Sequence, residues 1–294
     1  MADLYIVKAS SLNLRSSAKV EDNNKITSLP QNHVVSKLGV AEEDDAWWKI
    51  RTIKDERALE GFVASSFLEL APKRIQAIGW FKEQFRSKIE VAIAGTPFSL
   101  DMLTAIALQE TYYIWGKLYT TLPVNELLKL CVGDTIDAPN RSAFPQNKAA
   151  LLSVNKGQEM FDIAREALES VGAYVQEYQE VADSSPDKFC HGFGIFQLDL
   201  QFFKNDANYF IEKRWYSFDD CLTKCINELN AALKRAYGSG KITLTDEEKV
   251  YVAIAYNRGS VDFSRKFKQG FRDKSGKYYG EYISEYLQLA KSVL

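Results

Sequence analysis

Three short segments hold the residues best suited to chemistry. They are Ala107-Leu108-Gln109-Glu110-Thr111, Gly192-Phe193-Gly194-Ile195-Phe196-Gln197 and Ala255-Tyr256-Asn257. On a helix Leu103, Ile106, Ala107 and Glu110 share one face. An acid on an apolar face has a raised pKa, because burial penalises the anion. A carboxyl kept protonated near neutral pH can give its proton to a leaving glycosidic oxygen. Two glycines in three residues let main chain come close to a ligand. Gln197 both donates and accepts, as an N-acetyl group requires, and Tyr256 can bond either the acid or a sugar. Each piece alone also fits a plain role: a helix-end glutamate on the solvated side, a turn before a helix, a core tyrosine beside a C-terminal Asn. Together they suit cleavage of a glycosidic bond in an amino-sugar polymer.

Two kinds of element must position these groups. Residues 4–70 carry five short apolar or alternating stretches, Leu4–Val7, Leu12–Leu14, Val34–Leu38, Trp47–Ile53 and Gly61–Val63, separated by polar clusters such as Glu21-Asp22-Asn23-Asn24. This spacing predicts a small β-barrel. The pattern changes after Ala71-Pro72-Lys73-Arg74, since proline cannot continue a strand ladder. Ile75, Ile78, Phe81, Phe85 and Ile89 then recur at helical spacing. Helices are also predicted at Leu100–Trp115, Asn147–Glu180, Asp219–Ala236, Asp246–Asn257 and Gly280–Val293. Thr245 before Asp246-Glu247-Glu248 is an N-cap, and Gly259 a C-cap. Loops are expected at Cys131–Gln146 and Ala182–Phe193.

The motifs of the first segment, Leu12-Asn13-Leu14-Arg15-Ser16-Ser17, Leu29-Pro30, Val34–Gly39, Trp47-Trp48-Lys49-Ile50-Arg51 and Glu60–Leu68, in that order resemble a bacterial SH3-type domain. Such domains bind peptidoglycan stem or cross-bridge peptides, or dock within their own protein. Alternation turns Trp48 inward and leaves Trp47 the more exposed, or else both tryptophans only build the barrel. The helical part resembles the goose-type lysozyme and soluble lytic transglycosylase superfamily over about residues 105 to 260. That resemblance implies Glu110 as general acid/base, with Thr111 where a serine is usual. It implies a Gly-Leu-Met-Gln turn, here Gly194-Ile195-Phe196-Gln197, and retains Ala-Tyr-Asn intact. Tyr278-Tyr279-Gly280-Glu281-Tyr282 resembles a late tyrosine-bearing segment lining the family's cleft, without saying which tyrosine does so. The expected architecture is therefore a small all-β SH3-like barrel (1–71), a linker (72–79) and a mainly α-helical lysozyme-like catalytic domain (80–294). The expected activity is cleavage of the β-1,4 bond between N-acetylmuramic acid and N-acetylglucosamine. Gln197, Tyr256, Asn257, Gly194, Phe196 and Thr111 would contact substrate, with Tyr256 nearest the Glu110 carboxyl and one groove holding Glu110, Gln197, Tyr256 and Asn257. Asp134, Asp137 and Asp199 are candidates for a second carboxylate. One of them across the cleft would make an inverting hydrolase; otherwise the substrate's own hydroxyl or acetamido group completes the reaction. A chitin-type glycosidase and a non-catalytic wall-binding module on the same scaffold are the rival expectations.

Bulk properties narrow the field. The chain has 294 residues and a net charge of −2, giving no basic field for nucleic acid. No cofactor is expected. With two histidines and no ligand spacing, no metal is expected either. Cys131, Cys190, Cys221 and Cys225 read as reduced, mostly buried thiols, with a Cys131–Cys190 bridge the alternative. Cys221 and Cys225 are disfavoured as a pair by their helical spacing. His191 and His33 read as structural. The N-terminus shows no signal-peptide pattern and no stretch reaches transmembrane length. The expected partner is peptidoglycan, reached by an unidentified export route, with no nucleic acid and no membrane span.

Overall fold

The computed structural model describes residues 3–294. Met1 and Ala2, where the reading of the N-terminus begins, lie outside the described residues. Seven strands open the chain: β1 (Leu4–Val7), β2 (Ser11–Arg15), β3 (Lys25–Pro30), β4 (Val34–Val40), β5 (Trp47–Lys54), β6 (Arg57–Ala64) and β7 (Leu68–Leu70). They pair antiparallel in the order β3-β2-β6-β5-β4-β1-β7. Register shifts at Leu14/Arg15 and Lys37/Gly39 mark bulges, which bend strands and help the sheet curl into a half-barrel. Val7, Leu12, Leu14, Leu29, Val35, Ile50, Val63 and Leu68 fill its concave side. Asp55 and Glu56, both at positive φ, make the two-residue turn from β5 to β6, as a tight hairpin requires. The periodicity misses β3 and β7. β3 keeps only Leu29 buried, and β7 is three residues long.

Ten α-helices follow among the described residues, with three short strands between them. They are α1 (Lys73–Ala92), α2 (Leu100–Leu118), α3 (Val124–Lys129), β8 (Val132–Gly133), α4 (Lys148–Leu152), α5 (Gly157–Gly172), α6 (Gln176–Ser184), β9 (Gly192–Phe193), β10 (Leu198–Asp199), α7 (Ala207–Ile211), α8 (Phe218–Tyr237), α9 (Asp246–Arg258) and α10 (Tyr279–Lys291). The stretch 72–79, expected as a linker, is mostly the opening of α1. The Pro72 carbonyl accepts from the Ile75 and Gln76 amides, so the helix starts directly after the proline. The single run expected over 147–180 is three helices. Lys156 turns left-handed before α5, and a Cβ on Gly157 would collide with the Leu151 carbonyl, so the chain reverses there. The chain also contains short 3-10 turns, among them Leu200–Lys204 and Arg214–Tyr216, whose period differs from that of an α-helix.

The chain divides into two compact units that do not follow the 71/72 boundary. One contains the chain up to Ser87 with Ser99–Ala105 and Ser284–Leu294; the other contains Lys88–Phe98 and Ile106–Ile283. Within the first, Gln76 brackets the β1 backbone, donating to Leu4 O at 2.6 Å and accepting from Leu4 N at 3.2 Å. Buried Lys82 donates to Asp101 Oδ1 at 2.6 Å and to the carbonyls of Ala290 at 2.7 Å and Val293 at 2.6 Å. It closes the C-terminal end of α10 with a cation, where the helix dipole favours one. Among the described residues no helix is long and apolar enough to cross a membrane.

Candidate active site

The second unit brings the three sequence segments together. Glu110 lies in the second half of α2, behind the buried Ile106, Ala107 and Leu108. The residue keeps some accessible surface, but protein packs densely around its carboxyl. That desolvation raises its pKa to about 7, against the opposing hydrogen bond from Tyr279. The Tyr279 hydroxyl donates to Glu110 Oε1 at 2.9 Å. Tyr256, expected to be the nearest phenol, donates instead to the Phe196 carbonyl at 2.6 Å. It stays within electrostatic reach of Glu110, whose charge helps push the Tyr256 pKa up after burial and Cys225. Of the late-segment tyrosines, Tyr279 is the one that bonds Glu110, and it is fully buried at the first position of α10. A Cβ on Gly270 would meet both Tyr279 Cβ at 2.6 Å and Asn257 Oδ1 at 2.9 Å, so Asn257 stands beside the same tyrosine.

The glycine segment is the β9–β10 hairpin, with Phe193 paired to Leu198 and Gly192 to Asp199. Its glycines make room for the protein's own side chains. Gly194 has φ +85°, and a Cβ there would sit 2.5 Å from Cys221 Sγ. At Gly192 a Cβ would overlap the Gln197 side-chain oxygen. Gln197, itself left-handed at φ 53°, turns its amide onto the backbone, donating to Gly194 O at 2.8 Å and Cys131 O at 3.3 Å. Buried Thr111 donates to the Ile195 carbonyl at 2.7 Å. Thus hydroxyls from α2 and α9 grip consecutive carbonyls of one turn, which fixes that turn beside Glu110. Thr111, Gly194 and Phe196, expected at the substrate, are buried and form this framework. Glu110, Gln197 and Tyr256 are half-buried and Asn257 is exposed.

The 131–146 loop is organised around Arg141, buried and multiply bonded. Arg141 meets Asp134 Oδ2 at 3.1 Å, Asp199 Oδ1 at 2.8 Å and the Pro145 carbonyl at 3.0 Å. Asp137 pairs with Lys188 at 2.9 Å. All three candidate second carboxylates are thus held by cations. His191 is buried, with Nδ1 at 3.0 Å from the Asp134 carbonyl and Nε2 at 3.8 Å from Asp137 Oδ1. Burial and Arg141 push its pKa down. The four cysteines are free and buried, with no Cys131–Cys190 bridge, and burial pushes every thiol up. Tyr113 stands three residues after Glu110 on α2.

Comparison with known proteins adds one finding. Residues 10–69 match the bacterial SH3 domain family. No curated protein and no solved structure matches the chain. The match is consistent with wall binding. In this bacterial SH3 domain Trp48 packs on the core beside Tyr5, with ring centroids 4.9 Å apart. Lys37 covers its ring at 3.7 Å, so the inward turn expected of Trp48 leaves a cation on it. Trp47 is half-buried. Phe67, 47% exposed, stands in the turn leading into β7.

Proposed function

We propose that the protein cleaves the glycan strand of peptidoglycan at the bond between N-acetylmuramic acid and N-acetylglucosamine, with Glu110 as general acid/base. The observation that carries the reading is the Glu110 carboxyl itself. It is desolvated enough to titrate at about 7 and is oriented by a buried phenol. A carboxyl whose pKa is raised toward neutrality keeps a protonated form available there, which suits proton donation to a departing sugar oxygen. As the C1–O bond breaks, the proton passes from Glu110 to the leaving oxygen, and the carboxylate that remains accepts a proton from the incoming nucleophile. The ion pairs on Asp134, Asp137 and Asp199 favour a nucleophile supplied by the substrate over water activated by a second free carboxylate. Tyr256 and Asn257 are the residues offered for sugar binding, with Gln197 holding the turn between them and Glu110. The bacterial SH3 domain would bring the enzyme to stem or cross-bridge peptides.

The experiment is digestion of purified peptidoglycan followed by mass spectrometry of the products. Wild-type protein should release disaccharide fragments, with 1,6-anhydro ends if the substrate's hydroxyl completes the reaction and reducing ends if water does. Glu110→Gln should fall by at least about a hundredfold, the lower end of what general acid/base catalysis supplies. Wild-type clearance by that variant ends the assignment.

A further inference from the structure

Tyr113 has an unusual division between its two ends. The residue is 39% exposed, yet burial raises its hydroxyl pKa well above the ordinary tyrosine range. Exposure of the residue therefore coexists with a hydroxyl that is anchored by a hydrogen bond. Its hydroxyl lies 2.7 Å from that of Tyr178, and the two rings are inclined by only 27°. Burial likewise raises the Tyr178 hydroxyl, to about 12. Beneath the pair lies Gly133 of β8. A Cβ there would collide with the Tyr113 hydroxyl, come within 2.8 Å of the Tyr178 hydroxyl and within 3.0 Å of Gln197 Oε1. Only glycine lets the two phenols close over that strand. The ring of Tyr113 is thus fixed at its tip on a residue that stays 39% exposed.

Its place on α2 matters. Tyr113 follows Glu110 by three residues, so the two side chains are neighbours on one helix surface, roughly 5–6 Å apart at Cβ. An aromatic ring held rigid loses little freedom when a ligand covers it, and that is how preorganisation raises affinity. The carbon face of a pyranose ring is the complement such a platform takes up. We propose that Tyr113 is a sugar-stacking platform one unit along the glycan from the bond that Glu110 cleaves, and that Tyr178 is the positioning residue that holds it. This rests on the glycosidase reading above and adds a specificity-determining pair to it.

The test uses the full chain and a soluble, peptide-free tetrasaccharide of alternating N-acetylglucosamine and N-acetylmuramic acid, which leaves the SH3 domain without a peptide to bind. Tyr113→Ala should raise KM about three- to tenfold, the range expected for an aromatic contact, while kcat changes less than twofold. Tyr113→Trp, which restores a platform, should return KM toward wild type. Tyr178→Phe keeps both rings and removes one hydroxyl, so it should raise KM in the same direction by a smaller factor. Calorimetric binding of the tetrasaccharide to Glu110→Gln, with and without Tyr113→Ala, should reproduce the same ratio without turnover. If Tyr113→Ala does not fold, the Tyr178→Phe result decides, and an unchanged KM there overturns the proposal. Wild-type KM and binding in Tyr113→Ala overturn it as well. Those outcomes with an inactive Glu110→Gln remove the platform alone, whereas an active Glu110→Gln removes the glycosidase reading.

Discussion

Glu110 is held in tension between two environments. Burial favours its neutral form, and the Tyr279 hydrogen bond favours the anion, with burial the larger effect. Its folded pKa is raised to about 7 from an ordinary 4.5. The stability tied to this group is therefore complete below about pH 4.5 and is lost as pH rises through 7. Glu110→Gln removes the titration, so its melting temperature should exceed wild type at pH 8 and approach it at pH 5; scanning calorimetry at the two pH values checks this. An equal difference at both would mean the carboxyl does not titrate where its surroundings place it. Tyr279→Phe removes the group that favours the anion. The Glu110 pKa should move further up, and the alkaline limb of the pH–rate profile should move with it, without abolishing turnover. A limb shifted to lower pH would show that Tyr279 acts otherwise.

At the level of elements, the β9–β10 hairpin is a clamp built by its neighbours. Thr111 from α2 and Tyr256 from α9 hold the carbonyls of Ile195 and Phe196. Thr111→Val keeps the shape and leaves the Ile195 carbonyl without that donor, so it should cost about 1–3 kcal/mol, read by urea unfolding. Gly194→Ala forces a Cβ into a left-handed position and against Cys221 Sγ at 2.5 Å. Left-handed strain and overpacking together should cost about 2–4 kcal/mol. A Gly194→Ala protein of wild-type stability would mean the turn can relax away from α8.

Across the whole molecule, pH sets opposite limits. His33 and His191 both have lowered pKa values, mainly from burial, with Lys54 adding to the first and Arg141 to the second. A depressed histidine contributes stability that is present above its unfolded value of 6.5 and is lost as pH falls toward the folded value. Wild-type protein should therefore lose stability on the acid side through these histidines and on the alkaline side through Glu110. His33→Gln should soften only the acid side, as followed by thermal melts across pH. The first unit has its own constraint. Lys82 ties Asp101 to the last carbonyls of α10, although 82, 101 and 290 are far apart in the chain. Lys82→Met should destabilise by roughly 3–5 kcal/mol, the cost of breaking a buried charged network. Because Gln76 and the end of α10 belong to the same unit as the strands, excision of residues 4–70 would disturb them.

Much of this was legible in the sequence. Alternation in 4–70, the three-and-four spacing from Ile75, and the capping box at Thr245-Asp246-Glu247-Glu248 depend on near neighbours, whose geometry is fixed by the local backbone. The acid on the apolar face of α2 was legible for the same reason. The identity of the phenol on Glu110 was not, since Tyr279 is 169 positions away and several tyrosines of the late segment are equally plausible locally. The purpose of the glycines was also hidden. Local reading shows that Gly192 and Gly194 free the backbone, but only packing reveals that the freed space belongs to Gln197 and Cys221. The fate of Asp134, Asp137 and Asp199 turned on Arg141 and Lys188, partners brought near by folding of the 131–146 loop against β9 and β10. The sequence by itself determined the β-then-α order and most of the long elements, and that Glu110 lies on the apolar face of its helix. Tertiary structure decided what that acid touches, because desolvation and hydrogen bonding depend on distances in space that residue spacing along the chain does not encode.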